Sequence, residues 1–502
     1  MKLDRLIEVC KAVGVDGNLS CEIKGITCDS REVRDGYLFA ALKGEKHDGH
    51  DFIDAAISKG AAAVMMESPV VLTGKGVVSV LVENSRKALG RVSSRFYSEP
   101  SRELKIAGVT GTNGKTTTTY IMESILTAAG RCAGVIGTIN YRYAGKIIPA
   151  PNTTPESSEL QSLLASMRDA GVTDCVMEVS SHGLHQYRTE GCSFDTAVFT
   201  NLSQDHLDYH SSMEDYGRSK EALFFDDPYK KKQRVINIDD SFGKVLSEKY
   251  NNVISFGMEA GDIHPLDIVE KPDGFNSALH TPLGEVKVET ALVGIYNLYN
   301  IMAAAGAAIS FGIKKEAIEE GVRKFIAAPG RLEPVTLPEK YKGCRVFVDY
   351  AHTPDALERV IKAIKPTTGG IVVTLFGCGG DRDSKKRSLM GAIAVNNSDF
   401  TIITSDNPRN EDPLSIIEDI ERGAVDAGAK ADEDYCVIVE RKNAIREAAR
   451  LIKTGDTLLI AGKGHEDYQI LGNNRIYFDD RVEAENAFWP AMEDNGRAAD
   501  NV

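Results

Sequence analysis

"LKIAGVTGTNGKTTTT", residues 104–119, decides how this chain must fold. An apolar run that reads as a buried strand turns through Gly111 and Gly114 into a lysine and a row of threonines that read as the start of a helix. Such a joint brings backbone N–H groups and the positive end of a helix dipole to one point, which is the environment a phosphate needs. Lys115 can then reach β- and γ-phosphates, Thr116 offers its hydroxyl to Mg²⁺, and Gly111, Thr112, Asn113, Gly114 and Thr117 complete a candidate ATP site. The strict phosphate-loop spacing asks for glycine where Val109 stands, so a glycine-rich turn before a helix is the competing reading.

The alternation continues outward from this joint. "CAGVIGT", "DCVMEVS" and "TAVFTNL" read as strands, a helix is expected near 156–170, and a helical pair over about 296–311 and 314–327 closes the block. That rhythm predicts a mostly parallel sheet covered by helices, the α/β class. Beyond Pro329, Gly330 and Pro334 the runs "CRVFVDY", "GIVVTLFG", "FTIITS", "YCVIVE" and "DTLLIAG" alternate with helices again and predict a Rossmann-like unit. Before the joint, short strand-like runs and helices end at "FYSEPSRELK", where Pro100 and a charge cluster suit a linker. Three domains are therefore expected: a small α/β unit over 1–100, a central unit over 101–330 and a Rossmann-like unit over 331–502. The opening "MKLDRLIEVCKAVG" reads as an amphipathic helix and the tail "MEDNGRAADNV" as frayed.

A chain of 502 residues with 42 % hydrophobic and 26 % charged residues has enough apolar matter for several ordinary cores. Its formal charge of -14 argues against a general nucleic-acid or acidic-membrane partner. Nine cysteines scattered singly, without a CxxC pair, argue against a disulfide frame or structural zinc and for a reducing compartment. No apolar run approaches the roughly 18 residues of a membrane span. The expected setting is a cytoplasmic monomer acting on small molecules.

Candidate site residues lie at strand ends, where open α/β sheets bind ligands. Glu178 closes "DCVMEV" and suits a metal-binding carboxylate, and His206 follows "TAVFTNL"; each is as readily a structural residue. In "TSDNPRNEDP", residues 404–413, Arg409 offers a planar fork to a carboxylate, while Asp406 and Asn407 around Pro408 offer acceptors to an ammonium. An amino acid carries both charges. The plain alternative is a turn before a helix capped through Asp412 and Pro413. Lys220, in "YGRSKEALF", reads from its surroundings as a solvated helix residue.

Together these stretches resemble the Mur ligases, ATP-dependent amide-forming enzymes that build the peptidoglycan stem peptide. "GTNGKTTT", "NTTP" at 152–155, "EVSSHGLHQYR" at 178–188, "TNLSQDHLDYH" at 200–210 and "YGRSKEALF" at 216–224 follow in the family's order. So do "GIYNLYN" at 294–300, "PGRLE" at 329–333, "VDYAHTPDAL" at 348–357, "GCGGDRDSKKR" at 377–387 and "GKGHEDYQ" at 462–469, covering nearly the whole chain. The resemblance implies a UDP-sugar-binding first domain, a central phosphate-loop domain that binds ATP and a third that binds the amino acid. "DNPR" is characteristic of members that add meso-diaminopimelate to UDP-N-acetylmuramoyl-L-alanyl-D-glutamate.

By that resemblance Arg382, Gly462 and Glu466 join Asp406, Asn407, Pro408 and Arg409 around diaminopimelate. Cys28 and Ser30 would lie by the uridine end, and Asn152, Thr153, Thr154, Ser180, Gln186 and Arg188 would hold the muramoyl dipeptide. Asn297, with Asn300, would face adenine; Arg331 and Asp349, with His352 close by, would hold the nucleotide. Lys220 matches the position carbamylated in the family, which would let it ligate a second Mg²⁺ beside Glu178 and His206 and would place it with Lys115 in the catalytic set. The implied reaction passes through an acyl phosphate, with the domains closing about hinges near 100 and 330. A lysine-adding relative, a folate glutamate ligase and a silent nucleotide-binding scaffold are the alternatives. The first conflicts with Arg409, the second with the roughly 100 residues ahead of the phosphate loop, and the third with the intact Glu178, His206, Lys220 and Arg409. Two departures from the family's pattern are "EKHDGH" after Gly44, in place of a uridine-binding stretch, and Ser388, where proline is common.

Overall fold

The computed structural model describes residues 1–44, 47–74, 76–207 and 209–489; the polar tail from 492 onward and part of the stretch after Gly44 lie outside them. By internal contacts the chain divides into two compact units. The first comprises Met1–Leu266, Ala278–Val286 and Tyr299–Val322, and the second Asp267–Ser277, Lys287–Leu298 and the chain from Arg323 onward.

The first unit contains two sheets. Strands β1 (Ala12–Asp16), β2 (Gly25–Thr27), β3 (Tyr37–Ala40), β4 (Ala61–Met66) and β5 (Val78–Val82) pair in the order β1-β5-β4-β3-β2, parallel except for β1. The amphipathic helix expected over the opening stretch is shorter than its pattern: it spans Leu3–Ile7, and the rest becomes edge strand β1. Lys11 takes a left-handed backbone, φ 52°, which ends helical geometry, and Val13 and Val15 then favour extended chain.

The second sheet contains β6 (Lys105–Thr110), β7 (Ala133–Ile136), β8 (Asn140–Tyr143), β9 (Lys146–Pro149), β10 (Asp174–Glu178), β11 (Thr196–Phe199), β12 (Gln233–Asn237) and β13 (Val253–Phe256). Its order is β13-β12-β11-β6-β10-β7-β8-β9; the first six are parallel, and β8 and β9 are antiparallel additions at one edge. Helices cover β6, β10 and β11, so Ile106, Val109, Val176, Met177, Val198 and Phe199 are all buried and the strands read as unbroken apolar runs rather than alternating ones. From β6 the chain moves to one side through β7 and β10, then to the other through β11, β12 and β13. That reversal opens a crevice at the carboxyl end of β6, where the loop of residues 111–114 lies. The expected helices appear as Lys115–Ala128, Ser157–Asp169, Tyr296–Ser310 and Lys315–Lys324.

Strands β14 (His264–Lys271), β15 (Gly274–His280) and β16 (Val286–Thr290) form a separate sheet. In the second unit β17 (Glu333–Pro334), β18 (Arg345–Asp349), β19 (Val372–Phe376), β20 (Phe400–Ile403), β21 (Tyr435–Val437) and β22 (Thr457–Ala461) pair as β17-β18-β22-β19-β20-β21, parallel apart from β17. Alternate residues feed two cores. Val372, Phe376 and Leu459 face the helices Pro354–Ile364, Lys385–Asn397 and Pro413–Asp426; Val373, Leu375 and Leu458 face Arg441–Leu451 and Asp480–Phe488. On the second face Arg441 and Asp480, both fully buried, pair through two bonds of 2.7 Å. The carboxyl ends of β18, β19, β20 and β22 bring residues 349–352, 377–383, 404–409 and 462–466 to one rim. A hairpin, β23 (Tyr468–Leu471) and β24 (Asn474–Tyr477), follows that rim.

The cap expected at Asp412 forms: its carboxylate accepts from Leu414 N–H at 3.1 Å, and Pro413 opens the helix. Ser388 lies in the first turns of Lys385–Asn397, with its carbonyl against Gly423 of the facing helix. All nine cysteines are unpaired. Among the described residues no helix is long and apolar enough to cross a membrane.

Candidate active site

The phosphate loop is built tightly against the segment after β11. Thr112 N–H donates to the Asn201 carbonyl at 2.8 Å, Asn113 N–H to Asn201 Oδ1 at 2.9 Å, and Thr200 Oγ1 to the Asn113 carbonyl at 2.6 Å. At Gly111, φ 150°, a Cβ would lie 1.9 Å from Thr200 Oγ1, so only glycine fits this approach. Asn300 brings its Oδ1 to 2.3 Å from where a side chain at Gly114 would begin. No side chain caps the helix Lys115–Ala128, which leaves its first N–H groups facing the loop's concavity. This cradle suits the charge and shape of a nucleotide phosphate.

Two lysines share one carbonyl here. Lys115 Nζ lies 3.0 Å from the Gly111 oxygen and 2.9 Å from that of Thr112, and Lys220 Nζ lies 2.9 Å from Gly111 O. Lys220 leaves the helix Met213–Glu221 facing inward and is 1 % exposed, which overturns its reading as a solvated residue. Burial, and then repulsion from Lys115, hold its amine well below the ordinary lysine range. A neutral amine at this place is a nucleophile.

Glu178, also 1 % exposed, accepts from Thr116 Oγ1 at 2.8 Å, from Thr138 Oγ1 at 3.0 Å and from Thr138 N–H at 2.9 Å. A Cβ at Gly137 would meet its Oε1 at 2.3 Å, so the turn after β7 closes on the carboxylate. Thr116 and Glu178 thus present hard oxygen donors side by side, which fits Mg²⁺ held mainly through phosphate and water. Among the described residues no three His, Cys, Asp or Glu side chains converge as a metal cage. His206 is placed in a ring cluster, 4.8 Å from His182 and 6.0 Å from Tyr216 between centroids, and Lys220 Nζ stands 4.3 Å over the Tyr216 ring. Its backbone is left-handed, φ 55°, a conformation kept where surrounding contacts over-determine it.

The residues expected to hold the dipeptide form one network beside Glu178. Thr138 and Thr153 hydroxyls are 3.1 Å apart; Thr154 Oγ1 donates to the Glu178 carbonyl at 3.0 Å and accepts from Ser180 N–H at 3.0 Å. Ser180 caps the helix Ser181–His185. Arg188 donates to the Thr154 carbonyl at 2.9 Å and to Gln186 Oε1 at 2.8 Å, and pairs with Glu156 at 2.9 Å. Asn152 is exposed at the edge of this group. Cys28 feels both Glu156 and Arg86, and burial pushes its thiol up to about 12, so it is an inert neighbour rather than a nucleophile. Ser30 is half-buried close behind it in sequence.

In the second unit Asp349, at the end of β18, accepts from Leu332 N–H at 2.7 Å and Ala351 N–H at 2.8 Å. Burial raises its carboxyl, while Arg331 and these two N–H groups pull it back. The Arg331 guanidinium lies 5.0 Å from the Tyr350 ring, and His352 accompanies Tyr350 at 4.6 Å. Asn297 is buried and bonds the Val293 carbonyl at 2.9 Å.

On the rim, Arg409 adopts φ 53° and donates one N–H to the Gly380 carbonyl at 2.7 Å, with its N–H and C=O tied to Ile470 and Gly472. Its remaining guanidinium donors form a preset fork beside the 377–383 loop, where Arg382 is exposed. Asp406 and Asn407 are buried beneath the buried Pro408, and Gly462 N–H donates to the Asp349 carbonyl at 3.0 Å. Asn407 is engaged at both ends of its amide: Oδ1 accepts from Ile470 N–H at 3.0 Å and Nδ2 donates to Glu466 Oε2 at 2.9 Å. It therefore aims Glu466 as much as it offers an acceptor.

A curated relative from Geobacter metallireducens, named UDP-N-acetylmuramoyl-L-alanyl-D-glutamate--2,6-diaminopimelate ligase, is 44 % identical and covers 97 % of this chain and 98 % of its own. The chain belongs to the Mur ligase family. Family models match residues 22–97 (Mur ligase family, catalytic domain), 109–308 (Mur ligase middle domain) and 330–464 (Mur ligase, glutamate ligase domain). The Mur ligase fold is thus present with its N-terminal, central and C-terminal domains. A solved structure titled as the same diaminopimelate ligase aligns at TM-score 0.71 with 32 % identity, covering 97 % of this chain and 99 % of that one. A Mur ligase from Thermotoga maritima, titled MurF in complex with ADP, aligns at TM-score 0.62 with 22 % identity over 88 % of this chain and 94 % of its own, a likeness of fold.

Within this Mur ligase, sequence reading passed over Thr138, Gly137, Thr200, Asn201 and Tyr216, which shape the site without themselves being charged. "GT" at 137–138 ends an apparent strand, and nothing in its spacing signals that it closes on a carboxylate 40 residues later. Tyr216 had the better signal: it precedes Lys220 by one helical turn, on the same face.

Proposed function

We propose that this chain is an ATP-dependent ligase that joins an amine of meso-2,6-diaminopimelate to the D-glutamyl γ-carboxylate of UDP-N-acetylmuramoyl-L-alanyl-D-glutamate in cytoplasmic peptidoglycan precursor synthesis. The observation that carries it is the preset Arg409 fork on a rim that also bears Asp406 and Glu466, a receptor for a carboxylate and an ammonium together. Residues 1–100 take the UDP-sugar, 101–330 the ATP and the acceptor, and 331–502 the amino acid. The unpaired cysteines accord with a reducing compartment.

In this reading the γ-carboxylate attacks the γ-phosphorus of ATP, ADP leaves, and an acyl phosphate remains. The amine then attacks the acyl carbon, loses a proton and expels inorganic phosphate, leaving the amide. Lys115 swings from the loop carbonyls to the transferring phosphoryl group and balances its charge. Arg188 and Thr154 orient the acceptor, and the N–H groups of residues 111–117 hold the phosphates. Thr116 and Glu178 would hold one Mg²⁺, and His206 with Lys220 as its carbamate a second, supplying charge neutralisation along the phosphates. Burial favours the deprotonated amine of Lys220, which in this reading adds CO₂ and releases one proton, so the site gains a negative charge.

Purified protein with ATP, the UDP-dipeptide and meso-diaminopimelate should yield a product heavier by diaminopimelate less one water in mass spectrometry, and omission of any substrate should prevent it. Product formed without ATP would refute the reading. Lys220→Ala should lower kcat by about 10²-fold or more, with part of the loss restored by short carboxylic acids standing in for the carbamate. Unchanged turnover in that variant would remove Lys220 from the chemistry.

A further inference from the structure

Lys463 stands between Gly462 and Glu466 and has no part in the reading above, yet it is among the most deeply buried charges of the second unit, 0 % exposed. Its Nζ donates to the Tyr468 carbonyl at 2.5 Å and lies 3.4 Å from Glu466 Oε2 and 3.7 Å from Asp406 Oδ1. Asp406 Oδ1 is buried without a hydrogen-bond partner, and a Cβ at Gly462, φ 115°, would come within 2.8 Å of Asp406 Oδ2. Glu466 is held from the other side by Asn407. An ammonium is taken out of water only where anions compensate it, and two carboxylates this close do not stay ionised together without a cation between them.

We propose that Lys463 is a positioning residue for the amino-acid substrate, holding the Asp406 and Glu466 carboxylates together about its own ammonium so that the three groups offer one net negative charge to a substrate ammonium. The inference rests on the diaminopimelate ligase reading. Glu466 is faced by Lys463, Asp406, Asn407, Tyr350 and Tyr468, and at longer range by Arg441, whose guanidinium is already committed to Asp480 and the Ala461 carbonyl. Burial raises the Glu466 carboxyl; Lys463 and the Asn407 amide pull it down and Asp406 pushes it up. With Lys463 removed, the influences that raise Glu466 are opposed mainly by Asn407, and Glu466 takes up a proton at higher pH. The sign follows: each proton gained removes an anion from the site, so the KM for the amino acid rises as pH falls.

The test is phosphate release by the full-length enzyme with saturating ATP and UDP-dipeptide and varied diaminopimelate, between about pH 6.5 and 8.5. Wild type should show a flat KM once substrate ionisation is allowed for. Lys463→Met should raise that KM about 10-fold near neutral pH and steepen it toward acid, with kcat and the UDP-dipeptide KM changing less than about 2-fold. Lys463→Arg should restore the flat profile, and adding Glu466→Gln to Lys463→Met should abolish the slope. A KM in Lys463→Met that is unchanged, or raised equally at every pH, or accompanied by loss of kcat, would overturn the proposal. A sloping wild-type profile would do so even if Lys463→Met does not fold. No turnover of diaminopimelate by wild type would instead refute the ligase reading.

Discussion

Lys115→Ala should reduce turnover by about 10³-fold or more, the scale of removing a principal charge partner from a transferring phosphoryl group. The lysine is half-buried and donates to two carbonyls of its own loop, at 3.0 and 2.9 Å. Thr112, Asn113 and Thr200 hold that loop without its help. Thermal unfolding of the variant should therefore stay close to wild type while phosphate release collapses. Truncation also removes the like charge that depresses the Lys220 amine, so this variant should hold a more basic Lys220 than wild type. Activity retained within about 10-fold would contradict the role given to the loop.

Arg409→Met should cost diaminopimelate about 10³-fold in kcat/KM while altering the much weaker use of lysine by less than about 10-fold. The two substrates differ by one carboxylate, and in the proposed reading the Arg409 guanidinium receives it. Leaving a buried or half-buried carboxylate unpaired is what makes such discrimination large. Methionine keeps the length and tolerates the backbone about as well as arginine, and the loop remains tied through the backbone bonds of residue 409 to Ile470 and Gly472. Equal losses with both amino acids would show that Arg409 supports the loop and does not read the substrate.

The parts of the fold legible in sequence were those where pattern and packing agree. The β6 run followed by glycines and Lys115 could be little else, and the helical pair ending near Lys324 fell where its periodicity put it. At residues 404–413 the plain reading holds, since Asp412 caps a helix, and the same loop carries Arg409 on the rim, where its binding role is proposed. The opening residues misled because an apolar pattern suited to a helix continues into "AVGV", and a four-residue turn over 8–11, left-handed at Lys11, separates helix from strand. Lys220 misled for the opposite reason. Its helix buries Tyr216, Gly217, Ser219 and Lys220, a polar face that no hydrophobic periodicity marks as inward. Only the family's pattern pointed to it, and the burial of its amine supplies the physical reason. Thr138 was invisible because Glu178 is brought to it by the sheet, and Lys463 because Asp406 is, although Glu466 lies only three residues away in "GKGHE".

In the proposed reading this rim selects an amino acid bearing a second zwitterionic centre for ligation to a phosphate-activated acid. That selection is tested most directly by comparing meso-diaminopimelate with lysine in phosphate release, at fixed ATP and UDP-dipeptide. The account predicts release with diaminopimelate at a kcat/KM at least about 10³-fold above that with lysine. Equal release with the two amino acids would contradict it.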